Sequence, residues 1–430
     1  MTRKPLSNTA AIAVVTLIFF TWGGLTSLND VLIPHLKAVF DMNYARTMLI
    51  QSTFFGAYFL MSLPSGAVVA RIGYKGSIAI GLVVAAIGAA LFHPAAALPS
   101  YPLFLGALFV LASGLTLLQV AANPYIGLLG HPSGAASRMN LAQALNSLGT
   151  TLFPWLIGPL ILSGAVLGAG ELAAMDAAAQ SAYRAQQAQS VQVPYLLLGG
   201  GLVLLAAFVL AMRLPTLRDA SLPTESPRGF GEVLRHRHLR WGVLAIFVYV
   251  GAEVAIGSFL INYISGPGTG GLTEAAASRY LALYWGGAMV GRFAGAALLR
   301  RIDARRLLAL FAVVAALLLA TTMASRDQLA MWSVIAIGLF NSIMFPTIFA
   351  IAIERLGPLT SKASSLLVMA IVGGAVVPWV QGWLADRIGI QHAFVVPLAC
   401  YGFIAWYALR GSRLVDAAAG APARAAEPLG

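Results

Sequence analysis

Apolar runs of about 20 residues follow one another along most of this chain, and that repetition constrains the fold more than any other feature. A helix of that length crosses the hydrocarbon core of a bilayer, about 30 Å thick. Twelve such helices are drawn from the sequence, over 9–36, 45–70, 76–96, 101–129, 138–164, 194–213, 241–264, 275–299, 304–324, 328–355, 362–385 and 391–410. The expectation is an all-α membrane protein of twelve transmembrane helices. Composition agrees where it bears on the point. Charged residues make up 10% of the chain, against about 25% in soluble domains, and the 44 Gly and 21 Pro suit membrane helices. The opening MTRKPLSNTA is short and basic, but the run after it is too long for the apolar core of a signal peptide and has no small-residue cleavage site.

A net charge of +12 raises the question of nucleic acid, and its distribution answers it. With the N-terminus inside, most of the 27 Lys and Arg fall to the inner segments. That asymmetry is the positive-inside rule, so it predicts both termini in the cytoplasm and calls for no nucleic-acid partner. The single Cys400 excludes an internal disulfide or a cysteine metal cluster and reads as a small buried residue. HExxH, GxSxG and Walker A motifs are absent, and GPGTGG at 266–271 lacks the GK[ST] of a phosphate loop. No enzyme, cofactor or metal site is expected. Energy for any uphill transport comes from an ion gradient, since the chain has no nucleotide-binding domain.

The polar stretch 214–240 divides the chain into an N-terminal six-helix bundle (1–213) and a C-terminal one (241–410), followed by a cytoplasmic tail (411–430). The halves repeat one another. Basic loops, RIGYKG and RRIDARR, follow the second helix of each half; Arg138 leads to Pro154–Trp155 as Lys362 leads to Pro378–Trp379. Two homologous bundles predict a site between them near the midplane.

Charge inside a membrane costs about 2.5–3.5 kcal/mol at a helix centre on insertion scales, so it marks function. Two carboxylates lie well inside apolar runs: Asp30, in TWGGLTSLND beside Asn29, and Glu253, in FVYVGAEVAIGSF. They occupy the first helix of each half. Desolvation disfavours a charged carboxylate, so one that is alternately wetted and buried binds and releases a proton with the conformational change. Asp30 is the expected principal proton carrier and Glu253 a second titrating or sugar-binding group; the alternative for each is a plain interhelical hydrogen-bond acceptor. Amides cluster at helical spacing, Gln119 with Asn123 and Gln143 with Asn146, and Asn341 and Asn262 lie in the second half. They suit a hydroxyl-rich ligand or hold helices together, and Asn123 has the further option of satisfying backbone freed by Pro124. Trp22, Phe55, Tyr58, Tyr249, Tyr284, Trp285 and Trp379 offer apolar faces to a sugar ring or pack the bundle. Arg292 is expected to pair with carbonyls or a carboxylate, and Gly287, Gly291 and Gly295 to allow close helix packing.

With these residues in view, the chain resembles the sugar/proton symporters of the major facilitator superfamily, in the group of the bacterial L-fucose permease and the glucose/galactose transporters. LNDVLIPHLK (28–37), IQSTFFGAYF (50–59), ALFHPAA (90–96), AANPYIGLLG (121–130), RMNLAQALNSLG (138–149), YVGAEVAIGSFLINY (249–263), FPTIFAIAIERLG (345–357) and SSLLVMAIVGG (364–374) carry the resemblance in order along nearly the whole chain. It implies two pseudo-symmetric six-helix bundles working by alternating access, as a monomer, in the bacterial inner membrane. It also implies that Asp30 is a protonation site and that Gln143 and Asn146 contact sugar. The candidate binding set is Asn29, Gln119, Asn123, Gln143, Asn146, Tyr249 and Asn341. Two departures matter: the fucose branch carries Glu where this chain has Gln119, and is neutral where this chain has Glu253. They favour the glucose/galactose side, with glucose, galactose, mannose, N-acetylglucosamine and fucose all admissible. Sodium coupling, export of sugars or drugs, and a non-transporting sugar sensor are the alternatives.

Overall fold

The computed structural model describes residues 6–40, 44–98, 100–161, 174–215, 230–266, 268–269, 271–272 and 274–414, with the backbone alone at 28–40, 44–48, 51, 154–155, 157–161 and several positions of 181–190 and 274–278. Among the described residues there is no strand. The helices are α1 (Asn8–Phe40), α2 (Tyr44–Ala97), α3 (Tyr101–Leu128), α4 (Ala135–Ile161), α5 (Ala177–Ser190) and α6 (Gln192–Ala211), then α7 (Arg237–Ser265), α8 (Glu274–Leu298), α9 (Ala304–Ala324), α10 (Asp327–Asn341), α11 (Met344–Ala352), α12 (Thr360–Met369), α13 (Gly373–Ile388) and α14 (Val395–Trp406). Short helical turns fill several of the joins.

Among the described residues nine helical stretches are long and apolar enough to cross a bilayer. One of them, Ser52–Ala97, takes in two of the expected crossings. They meet at Gly73, where φ 75° and ψ 174° leave the helical range, a conformation that glycine adopts without a Cβ penalty. Two further long helices, α4 and α8, carry Arg138, Asn140, Gln143 and Asn146, and Arg279 and Arg292, and fall outside the apolar set. Counting these gives the twelve passes.

The structure breaks two crossings that the sequence reads as continuous. The helix expected over 328–355 stops at Asn341 and restarts at Met344, just ahead of Pro346. The one expected over 362–385 passes through a 3-10 turn at Ala370–Val372 between α12 and α13. It also adds α5, an alanine- and glutamine-rich helix whose first turn is capped by Asp176, with Oδ1 accepting from the Ala179 N–H at 2.7 Å.

Within the first half α1 packs on α4, and α2 on α3 and α6; within the second, α7 packs on α13 and α14, and α10 on α8 and α9. The repeat seen in the sequence returns as matched close approaches. Gly149 of α4 lies against the backbone of Phe20 in α1, and Gly373 of α13 against that of Phe247 in α7; a Cβ at either would collide with a carbonyl oxygen. Gly287, Gly291 and Gly295 bring α8 onto the chain at Leu339–Ile343 in the same way.

One end of the bundle collects the described terminal residues. The Leu6 N–H donates to Arg213 O, and Lys75 Nζ to Leu210 O. Arg305 binds both Glu354 and Ser412 there.

Candidate functional site

Buried polar side chains gather along the seam between the halves, and proline chemistry explains much of their placement. Proline has no N–H, so the carbonyl four residues earlier loses its helical partner. Pro124 in α3 frees Val120 O, and Ser364 of α12, in the other half, donates its hydroxyl to that oxygen at 2.9 Å. Pro346 in α11 frees Ser342 O, which accepts from Arg292 Nε at 3.2 Å. Asn140 of α4 reaches Thr347 Oγ1, beside Pro346, at 3.2 Å. The two helices that open at Arg138 and Lys362 in the repeat thus each cross the seam to the proline-bearing helix of the other half. Further bonds that cross it are Ser137 Oγ to Ala296 O at 2.7 Å, Thr151 Oγ1 to Met289 Sδ at 3.9 Å, and Arg292 to the Ser147 hydroxyl.

In the second half one network links α7, α8, α10 and α14. Asn341 is fully buried. Its Nδ2 donates to the Tyr284 hydroxyl at 2.7 Å, its Oδ1 accepts from Tyr401 at 2.7 Å, and its carbonyl accepts from Tyr249 at 3.0 Å. The Tyr284 hydroxyl is also 3.4 Å from the Glu253 carbonyl oxygen. Glu253 sits one turn beyond Tyr249, and its Oε1 is 3.8 Å from Arg292 Nη2, with side chains 13% and 14% exposed. Arg292 therefore pairs with a carbonyl and a carboxylate together, where the sequence left the two open.

The first-half amides are less engaged. Gln119 donates to the Tyr58 hydroxyl at 2.6 Å, and that hydroxyl also lies within reach of Trp22. Asn146 donates to Phe19 O at 2.9 Å, tying α4 to α1. Gln143 is buried; its carbonyl accepts from the Ser147 hydroxyl at 3.0 Å, but its side-chain amide has no hydrogen-bond partner among the described residues. Asn123 is fully buried, and neither atom of its amide has a partner among them. The option that Asn123 satisfies the backbone freed by Pro124 is set aside, because Ser364 does so from across the seam. The α1 backbone continues as a helix through Asn29 and Asp30, whose side chains lie outside the described residues.

Of the aromatic candidates, Trp22, Tyr58, Tyr249 and Tyr284 are buried, whereas Trp285 and Trp379 are exposed. Phe55 bridges the halves at Gly374. Cys400 is buried among apolar neighbours. A cavity of about 570 Å³ between α1, α4 and α6 is lined by Leu, Phe, Pro and Gly with Thr21 alone polar, and takes in none of the candidate amides or carboxylates. Among the described residues no group of three His, Cys, Asp or Glu is placed to hold a metal.

Sequence reading missed Ser137, Asn140, Ser147, Thr347, Ser364 and Tyr401. Asn140 and Ser147 were within reach of it, since they lie three residues before and four after Gln143 on the same helix face. Ser364 and Tyr401 were not, because their partners are remote in the chain.

Twelve passes, an internal repeat and a polar seam between two bundles define a polytopic membrane transporter. The profile of the Major Facilitator Superfamily matches residues 14–371, and the chain belongs to that superfamily. It is 53% identical to the glucose/galactose transporter of Brucella abortus biovar 1 (strain 9-941) over 403 residues, covering 94% of each chain. It is 35% identical to the L-fucose-proton symporter of Escherichia coli (strain K12) over 398 residues, 91% of each. The solved structure of FucP, a superfamily transporter in the outward conformation, superposes with a TM-score of 0.86 at 35% identity, over 92% of this chain and 97% of that one. The chain is a transporter and not an enzyme.

Proposed function

We propose that this protein imports a monosaccharide of the glucose/galactose type by alternating access, driven by protons. The observation that carries the reading is the 53% identity to a glucose/galactose transporter along nearly the full length of both chains. The 35% identity to an L-fucose-proton symporter supports proton coupling. The units that rock against each other are the bundles 1–213 and 241–410, joined by the linker 214–240 and followed by the tail 411–430. Asp30 is the principal proton carrier and Glu253 the second. Asn29, Gln119, Asn123, Gln143, Asn146, Tyr249 and Asn341 form or support the sugar site. The protein works as a monomer in the bacterial inner membrane, with both termini in the cytoplasm, as the distribution of Lys and Arg favours.

The test is uptake of labelled glucose, galactose, fucose and N-acetylglucosamine into proteoliposomes, under a pH gradient alone and a sodium gradient alone. Proton-driven accumulation of a hexose is expected. Asp30→Asn is expected to abolish accumulation and retain exchange at equal pH. Accumulation under sodium alone, or export only, would overturn the reading, and normal accumulation by Asp30→Asn would remove that residue from the coupling role.

A further inference from the structure

Arg292 joins groups on three separate elements. Its Nε donates to Ser342 O, the carbonyl that Pro346 leaves without a helical partner. Its Nη1 donates to the Ser147 hydroxyl of α4, in the opposite half. Its Nη2 lies 3.8 Å from Glu253 Oε1 on α7, an oxygen that is buried and has no hydrogen bond among the described residues. The groups around Glu253 are Tyr249 of its own helix, Tyr284 and Arg292 of α8, and Tyr401 of α14, with the neutral Asn341 of α10 between the tyrosines. Arg292 is the cation in that described set.

We infer that Arg292 is a positioning residue that transmits the protonation state of Glu253 to the seam between the two halves. The inference rests on the proposed role of Glu253 as a proton carrier. A guanidinium in a low-dielectric site is held there by its counter-charge, and removing one partner of a buried pair leaves an uncompensated charge. With Glu253 ionised, Arg292 is compensated and stays at the seam, bonded to α4 through Ser147. Protonation of Glu253 removes the compensation. The closed seam then loses stability relative to the state in which the halves part at the end carrying the termini and Arg292 meets water. The Ser342 carbonyl gives the arm a fixed pivot, because no backbone N–H competes for that oxygen. Gln119 adds no second carboxylate to α3, so this arm places a proton-sensitive switch in the second half.

The experiment reads seam opening without sugar. The full chain in membrane vesicles carries Cys400→Ser, which removes its one cysteine, and Ser361→Cys as reporter. Ser361 is buried at the seam, with its carbonyl oxygen 3.4 Å from where a Cβ on Gly66 would sit, and its side chain is outside the Arg292 contacts. Labelling by N-ethylmaleimide is normalised to denatured protein at each pH, which removes the titration of the thiol itself. Labelling is expected to rise about tenfold from about pH 8 to about pH 5.5 as the population shifts. Glu253→Gln is expected to label fast at both pH values, and Arg292→Gln to lose the pH response. Ser147→Ala, which removes the cross-half contact together with a hydroxyl bond to Gln143 O inside α4, is expected to raise the basal rate while Glu253 still titrates. Arg292→Lys keeps the charge without the three-way fork, so about half of the pH response or less is expected to survive, and this variant decides the matter if Arg292→Gln does not fold. A full pH response in either Arg292 variant, or slow labelling of Glu253→Gln at high pH, overturns the inference. Sodium-driven uptake with the labelling response intact would instead defeat the proposed proton coupling and leave the Arg292 link standing.

Discussion

Asn341 in the second half is held on three sides by Tyr249, Tyr284 and Tyr401, whereas the side-chain amides of Gln143 and Asn123 in the first half are also buried but meet no hydrogen-bond partner among the described residues. The halves repeat one another in helix order and in glycine contacts, so the contrast does not come from the architecture. It comes from how the hydrogen-bonding capacity of buried amides is used. A satisfied network stiffens its surroundings, and an unsatisfied amide is costly until something binds to it. On this reading the cluster around Asn341 is a rigid wall, whereas Gln143 and Asn123 retain donors and acceptors for a hydroxylated ligand; Gln381 of α13, buried with neither amide atom bonded among the described residues, shows that the second half is not satisfied throughout.

The hardest test of the repeat itself is steric. Gly149→Leu and Gly373→Leu each drive a side chain into a carbonyl of the facing helix. Both are expected to prevent recovery of folded protein by gel filtration, and a tolerated leucine at either position would show that the matched approaches are not equivalent. Next in size, Asn341→Ala removes the side-chain partner of two buried tyrosine hydroxyls, leaving Tyr401 without one and Tyr284 with only its long contact to Glu253 O, and opens a cavity, so a loss of about 3 kcal/mol is expected in thermal unfolding in detergent. Gln143→Ala is expected to move stability by less than about 1 kcal/mol yet weaken hexose binding about tenfold, read by ligand-induced thermal shift. Equal stability losses for Asn341→Ala and Gln143→Ala would erase the contrast between the halves. The smallest effect is expected from Ser364→Ala, which leaves Val120 O without its donor. A loss of about 1 kcal/mol from the closed seam is expected, seen as faster labelling of the Ser361→Cys reporter with unfolding temperature almost unchanged.

The particular residues divide cleanly by what each kind of reading reaches. Helix count, the two halves, and the positions of Glu253, Gln119, Gln143 and Arg292 were legible because lipid imposes a length and makes each buried polar residue conspicuous. The break at 342–343 was less legible: Pro346 warns of it, but whether a proline kinks or interrupts a helix depends on what caps the freed carbonyl. The cap is Arg292, 50 positions before Ser342 in the chain and on another helix. The helix α5 went unread because its polar, alanine-rich sequence lacks the apolar run that marks a crossing.

Residence in a membrane as two related helical bundles follows from the order of residues alone, since apolar length and periodicity are local properties that any stretch displays on its own. Which polar groups are paired and which stay unpaired depends on how the helices pack. Val120 meets Ser364, Asn140 meets Thr347, and Arg292 meets Ser147 because the bundles close against each other, and Arg292 meets Glu253 because α7 and α8 pack together within one bundle. A hydrogen bond depends on distances of about 3 Å between atoms, and for residues far apart in the chain no local pattern encodes those distances.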